Sequence, residues 1–103
     1  QIVIFNFQNS LIIKRVIGIE KDHILIHEGK IYLNQSKTST NYLKKLPESN
    51  FTDFDDVTIP NHHVYVLGDN RRQSSKDSRE IGTINQSIIS EIVFLKIWPL
   101  KFL

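Results

Sequence analysis

Hydrophobic residues occur in short runs that turn-forming residues separate. Residues 2–7 and 11–19 are rich in β-branched side chains and flank the turn-like sequence Gln8-Asn9-Ser10. This pattern predicts two strands joined in a hairpin. Similar runs predict further short strands at residues 23–27, 30–33, 64–67 and 93–98, the last ended by Pro99. We therefore predict a mostly β fold of short antiparallel strands.

Helical periodicity is nearly absent from the chain. Apolar residues at Ile84, Ile88, Ile89 and Ile92 have a mixed spacing, which predicts one short helix or turn before the last strand. We expect at most one short helix in the protein. At 103 residues the chain is predicted to form a single domain covering residues 1–103.

The second run, residues 11–19, is too continuously apolar for a strand with one wet face, so we expect it to be covered on both faces. Lys14 and Arg15 lie in its middle. Burial disfavours an ammonium charge and lowers the pKa of a lysine from about 10.4. A neutral amine at Lys14 would be able to take a proton from a serine hydroxyl. The alternative is a packed side-chain stem with its ammonium group in water.

A very polar segment from Gly68 to Gly82 follows the strand at 64–67. It contains two aspartates, three arginines and three serines. Asp69 is expected to pair with Arg71, and Asp77 with Arg79, in forked geometry. Such pairs would pin the loop and hold a serine hydroxyl in place. The alternative is a solvated charged turn, since surface ion pairs contribute little.

Composition narrows the possible partners. The net charge of +2 does not favour nucleic acid, and basic residues are not interleaved with aromatic ones. The chain has no cysteine, and adjacent His62 and His63 would point to opposite faces of a strand, so we expect no metal site and no cofactor. No apolar run approaches the roughly 20 residues that span a bilayer.

Two blocks of sequence carry a resemblance to a known family. The order Gly68-Asp69-Asn70-Arg71, a short gap, Ser75-Lys76-Asp77-Ser78-Arg79 and then Gly82 resembles the most distinctive box of the type I signal peptidases, membrane-bound serine peptidases with a Ser/Lys dyad. Lys14-Arg15-Val16-Ile17-Gly18-Ile19 is similar to the lysine box of that family. Residues 1–5 and Ile97-Trp98-Pro99 also match its order. The resemblance implies a signal-peptidase-like β core with a small β-rich lobe inserted at about 28–58.

The resemblance also implies roles for individual residues. Lys14 corresponds to the general base and Ser75 to the serine that orients it. Because the gap after Arg71 is one residue longer than in the familiar pattern, Ser74 is the alternative partner. Ile13 and Ile12 are expected to line a substrate pocket, although ordinary core packing explains them nearly as well. The remaining matching residues are implied to be structural: Gly68, Asp69, Asn70, Arg71, Asp77, Ser78 and Arg79.

The nucleophile of the family lies upstream of the lysine, in a Ser-Met motif near a membrane anchor. This chain contains no methionine, so we expect the nucleophile and the anchor to lie outside it and the chain alone to be inactive. The implied partners are secretory precursors and, through the missing segment, the membrane surface. The implied location is the extracytoplasmic face of the cell membrane.

Three other interpretations remain open. The first is a catalytically inactive signal-peptidase-like factor that binds or assembles secreted surface proteins. The second is a generic β binding module. The third is a self-cleaving repressor, which shares the Ser/Lys chemistry, although the Gly-Asp-Asn-Arg box points away from it.

Overall fold

The computed structural model describes residues 1–34, 36, 37, 48–71, 74 and 76–93, with residues 36, 37 and 93 described by their backbone alone. Nine strands, one α-helix and one 3₁₀ turn lie within these ranges. In chain order they are β1 (Ile2–Phe7), β2 (Ser10–Ile19), β3 (His23–His27), β4 (Lys30–Leu33), β5 (Ser36–Lys37), β6 (Asp55–Thr58), β7 (His63–Leu67), α1 (Ser78–Ile81), β8 (Ile84–Asn85), the 3₁₀ turn Gln86–Ile88 and β9 (Ile89–Val93).

The first sheet has five antiparallel strands in the order β8-β7-β2-β1-β9. Strands β1 and β2 form the predicted hairpin, and both turn residues, Gln8 and Asn9, have positive φ angles of 50° and 65°. Turns of this kind match the twist of the strands they join. Strand β2 is the central strand, which explains its continuous apolar sequence. It is covered over most of its length, whereas Leu11 near its start is 62% exposed.

The second sheet has four antiparallel strands in the order β5-β4-β3-β6. Strands β3 and β4 form a tight hairpin through Glu28 and Gly29, which both have positive φ angles. The sheet begins at His23, five residues before the lobe we expect at about 28–58. Tyr65 of β7 connects the two sheets because its hydroxyl donates a 2.6 Å hydrogen bond to Asp55 of β6.

Apolar side chains pack on both faces of the first sheet. One cluster fills the space between the two sheets and includes Ile17, Ile24, Ile26, Ile31, Ile59, Tyr65 and Leu67. The other covers the opposite face and includes Val3, Phe5, Ile12, Val64, Val66 and Ile84. Neighbouring residues of a strand point to opposite faces. Lys14 and Arg15 are therefore buried on different sides of the sheet.

The mostly β prediction is confirmed, and α1 is a helix of four residues. The mixed apolar spacing after Gly82 is also explained, because β8, the 3₁₀ turn and the start of β9 share that segment. The predicted strand at 93–98 lies outside the described residues except for Val93, the last described residue of β9.

Candidate active site

Lys14 lies in the middle of β2, opposite Val3 of β1, and only 7% of the residue is exposed. Its Nζ atom donates a 2.6 Å hydrogen bond to the hydroxyl of Ser74. Burial lowers the pKa of Lys14; among the nearby charges Asp77 and Asp69 act against this effect and Arg79 adds to it. A lysine with a lowered pKa is more easily neutral, and a neutral amine is a base.

The serine beside Lys14 is thus Ser74, the alternative that the longer gap left open. Ser75, the residue we assigned to this role, lies outside the described residues. Two described features define the local backbone around Ser74. The Ser74 amide donates to the Asn70 carbonyl at 2.8 Å, and Lys76 has a positive φ of 57°, a conformation that an ordinary side chain adopts at a cost.

The start of the loop is fixed by Asp69, whose partner is not the one we predicted. Asp69 accepts two hydrogen bonds from Arg15, from Nε at 2.8 Å and from Nη2 at 2.9 Å. Our prediction of Arg71 as its forked partner was therefore wrong. Arg15 points away from Lys14 on the central strand, so the strand that carries the lysine also fixes the loop from its other face. Two features of the sequence could have indicated this pair. Side chains alternate along β2, which places Arg15 on the face opposite Lys14, and a buried arginine needs a carboxylate partner.

The end of the loop is fixed by Asp77, which caps α1. Its carboxylate accepts from the amide of Arg79 at 3.1 Å and from the Arg79 guanidinium, with Nη2 at 2.5 Å. This is the predicted pair. Asp77 also accepts a 3.3 Å hydrogen bond from the amide of Gly68, so it joins both ends of the loop. Ser78 anchors the helix because its hydroxyl accepts from the Val66 amide at 2.8 Å.

Arg71 is buried within the same loop and is 3% exposed. Its Nε and Nη2 atoms have no hydrogen-bond partner. Burial lowers the pKa of Arg71 to about 10, with Arg79 adding to the effect. Its charge is balanced through space by Asp69 and Asp77 instead of by a forked contact.

Two further residues join the loop from a part of the chain that shows little pattern. Arg79 Nη1 donates to the hydroxyl of Ser49 at 3.1 Å and to the carboxylate of Asp53 at 3.2 Å. Burial works against the charge of Arg79, but Asp77 and Asp53 outweigh it and raise the pKa of Arg79. Nothing in the sequence around Asp53 indicates that it reaches this loop.

The two candidate pocket residues lie on opposite faces of β2. Ile12 is 7% exposed and belongs to the apolar cluster on the Lys14 face. Ile13 is half-buried and opposite Ile4 of β1. Ile12 is therefore a core residue that also adjoins the base, and Ile13 is the more accessible of the two.

The arrangement combines a buried amine, a hydroxyl that is hydrogen-bonded to it and a braced loop that carries the hydroxyl, and groups of this kind can support general-base chemistry. His, Asp and Glu side chains in the described ranges do not gather in threes around a potential metal position. No helix in the described part of the chain has the length and apolarity needed to cross a membrane.

Comparisons with known proteins identify the family of this chain. A sequence model of the family described as "Signal peptidase, peptidase S26" matches residues 1–98. Signal peptidase I of Bacillus amyloliquefaciens is 33% identical over 97 residues, which cover 87% of this chain and 52% of that protein. Signal peptidase I of Bacillus caldolyticus is 37% identical over 100 residues, which cover 86% of this chain and 54% of that protein.

A solved structure extends the likeness to the fold. The crystal structure of a signal peptidase I from Enterococcus faecalis superimposes with a TM-score of 0.69 at 26% identity, covering 90% of this chain and 92% of that chain. The chain spans about half the length of the curated relatives described above. With a family match along almost its whole length and this shared fold, the chain belongs to the signal peptidase family, peptidase S26.

Proposed function

We propose that this chain is the base-carrying part of a signal peptidase I-type serine endopeptidase, which removes signal peptides from secretory precursors. The observation that carries the proposal is the partly buried contact of 2.6 Å between Nζ of the buried Lys14 and Oγ of Ser74. An amine in that position is desolvated and oriented at once, and both are requirements of a general base. The names of the relatives supply the reaction class.

In the proposed mechanism a serine from outside this sequence attacks the carbonyl carbon of the scissile peptide bond. Neutral Lys14 accepts the proton of that serine as the new C–O bond forms. The resulting ammonium then gives the proton to the leaving amine as the C–N bond breaks. Water completes the cycle by hydrolysing the acyl-enzyme, again with Lys14 as the base.

Ser74 has the role of orienting the amine. A free lysine side chain rotates about its terminal bonds, and a hydroxyl held 2.6 Å from Nζ restricts that rotation. Braced by Asp77 and Arg79, the loop keeps the hydroxyl in place without a conformational cost at the moment of reaction.

The proposed substrate is an extended peptide with small side chains near its cleavage site. Such a peptide can add as a strand along an exposed edge, where shallow pockets read alternate side chains. We propose Ile13, the more accessible of the two candidates, as a wall of the substrate pocket; Ile12 lies on the other face of β2, in the apolar cluster beside Lys14. The full protein would act at the extracytoplasmic face of the cell membrane, held there by a segment outside this sequence.

The test is a cleavage assay with the full-length protein and a precursor that carries an Ala-x-Ala site. Wild type should cleave, and Lys14→Ala should lose all detectable cleavage while remaining folded. Lys30→Ala is the matched control, because Lys30 is an exposed lysine of β4 in the other sheet. A folded wild type that does not cleave would overturn the proposal and favour a non-catalytic assembly factor.

A further inference from the structure

A chain of hydrogen bonds leads from the turn before β6, residues 49–53, to the loop that carries Ser74. Oδ2 of Asp53 accepts from the amide of Asn50 at 3.1 Å, from the hydroxyl of Ser49 and from Nη1 of Arg79 at 3.2 Å. The same Nη1 atom donates to the hydroxyl of Ser49 at 3.1 Å. One carboxylate oxygen thus joins the turn to the guanidinium.

The turn takes its position from the second sheet. Ser49 is 2% exposed, and its amide donates a 3.0 Å hydrogen bond to the carbonyl of Gly29 in the β3–β4 hairpin. Gly29 has a φ of +80°, and a Cβ added there would lie 2.8 Å from the carbonyl oxygen of Ser49. Only glycine allows the hairpin and the turn to approach this closely.

At its other end Arg79 holds the loop itself. Nε and Nη2 of Arg79 bond to Asp77 at 3.0 Å and 2.5 Å, and Nη2 also lies 3.5 Å from the carbonyl oxygen of Ser74. Asp53, Arg79 and Ser74 line one cavity of about 260 Å³. The guanidinium therefore extends between the turn and the backbone of the serine beside Lys14.

We propose that Asp53 is a positioning residue, which acts through Arg79 to hold the Ser74 hydroxyl against Lys14. The inference rests on the proposed function and adds a role for the second sheet. Asp77 binds one edge of the Arg79 guanidinium and leaves Nη1 unused. Asp53 and Ser49 satisfy that atom and fix the plane of the group, and their positions are set by a hairpin outside the catalytic loop.

Electrostatics supports the same assignment. Arg79 is partly withdrawn from water, and Asp77 by itself neutralises one charge while also bonding to the amides of Gly68 and Arg79. Asp53 adds a second carboxylate to the guanidinium, and charge-assisted hydrogen bonds of this kind are stronger than neutral ones. Without it Arg79 would retain a partner but would be free to tilt, and the carbonyl of Ser74 would tilt with it.

The experiment compares three full-length proteins in the precursor assay: wild type, Asp53→Asn and Asp56→Asn. Asp53→Asn keeps the size of the side chain and removes its charge. We expect kcat to fall about tenfold with KM within about twofold of wild type, because orientation is lost while the substrate surface is intact. Asp56→Asn is the matched control on β6, where Asp56 is exposed and bonds to His23, and it should retain the wild-type kcat.

A double-mutant cycle separates positioning from general loss of structure. If Asp53 acts through Ser74, adding Asp53→Asn to Ser74→Ala should lower kcat little further. If the double variant instead loses kcat by the product of the two single losses, the substitutions act independently and the inference is overturned. Ser49→Ala, which removes only the hydroxyl, should give a smaller loss of kcat in the same direction and serves if Asp53→Asn folds poorly.

The outcomes distinguish this inference from the proposed function. If wild type cleaves, Lys14→Ala does not cleave and Asp53→Asn is fully active, the role of Asp53 is overturned and the proposed enzyme function stands. A wild type that does not cleave would overturn both.

Discussion

Lys14 Nζ lies 2.6 Å from Ser74 Oγ, although the two residues are 60 positions apart in the sequence. The contact joins the central strand of the first sheet to the loop after β7. Counted forward from Gly68, the serine is Ser74; counted back from Asp77, the family spacing gives Ser75. The contact agrees with the forward count, and Lys76, before Asp77, has a positive φ of 57°.

This contact predicts which serine matters to the reaction. In the full-length protein, Ser74→Ala should lower kcat by about 10- to 100-fold, because Lys14 loses the hydroxyl that orients it. Ser75→Ala should stay within about twofold of wild type, and steady-state kinetics on a precursor would measure both. The opposite ranking would return the role to Ser75.

The buried amine predicts a characteristic dependence of stability on pH. Burial lowers the pKa of Lys14 below its ordinary value of 10.5, so between the two pKa values the unfolded chain binds more protons than the folded one. The free energy of unfolding should therefore rise with pH through that window. Lys14→Met should be more stable than wild type at pH 7, and the difference should shrink as the pH approaches 10.5.

Denaturant melts of both proteins at several pH values would check this. Lys30→Met, at an exposed position, is the control. It should change the free energy of unfolding by the same amount at every pH and leave its pH dependence as in wild type. A constant difference between Lys14→Met and wild type across the range would show that Lys14 is charged and well solvated in the folded protein.

The Arg15 and Asp69 pair predicts a large loss of stability on removal of one partner. The two side chains are 4% and 1% exposed. Asp69→Ala removes both forked hydrogen bonds and leaves a buried guanidinium without them, which costs about 3–5 kcal/mol. Glu28→Gln breaks the exposed contact of His27 with Glu28 at 3.2 Å and should change stability by less than about 0.5 kcal/mol. Equal effects in urea unfolding would contradict the burial argument.

Gly18 predicts a steric effect at the point where the pairing register of β2 with β7 shifts. A Cβ at Gly18 would lie 2.8 Å from Cδ1 of Ile59 and 3.0 Å from Cδ1 of Ile24. Gly18→Ala should therefore destabilise the protein by about 1–3 kcal/mol. Ile59→Val removes the closest atom, so the double variant should be more stable than the sum of the single changes predicts. Strict additivity would argue against this contact as the cause.

The local elements of this fold were predictable because their signals are local. The first hairpin follows from two β-branched runs around Gln8 and Asn9, and the second from the turn at Glu28 and Gly29. The continuous apolar character of β2 correctly predicted a covered strand, because only a central strand between two apolar layers needs one. Asp77 pairs with Arg79 as predicted, but the same separation of two residues predicted the wrong partner for Asp69, so short separation alone does not decide an ion pair.

Partners at long range were not predictable in this way. Asp69 bonds to Arg15 from 54 positions away, because strand pairing brings Leu67 opposite Arg15 and so delivers the start of the loop to that side chain. Nothing near Asp53 indicates that it reaches Arg79, because its position depends on how the turn packs against the second hairpin.

The sequence by itself determined strands β1 to β4 and β7, the turns of the two hairpins, the family resemblance and the identity of the candidate base, because each depends on residues close together in the chain. Only the tertiary structure decided which serine contacts Lys14, which arginine holds Asp69 and how the second sheet reaches the loop. These contacts depend on side chains 60, 54 and 26 positions apart, and such distances are closed by strand register and loop path, which no local pattern encodes.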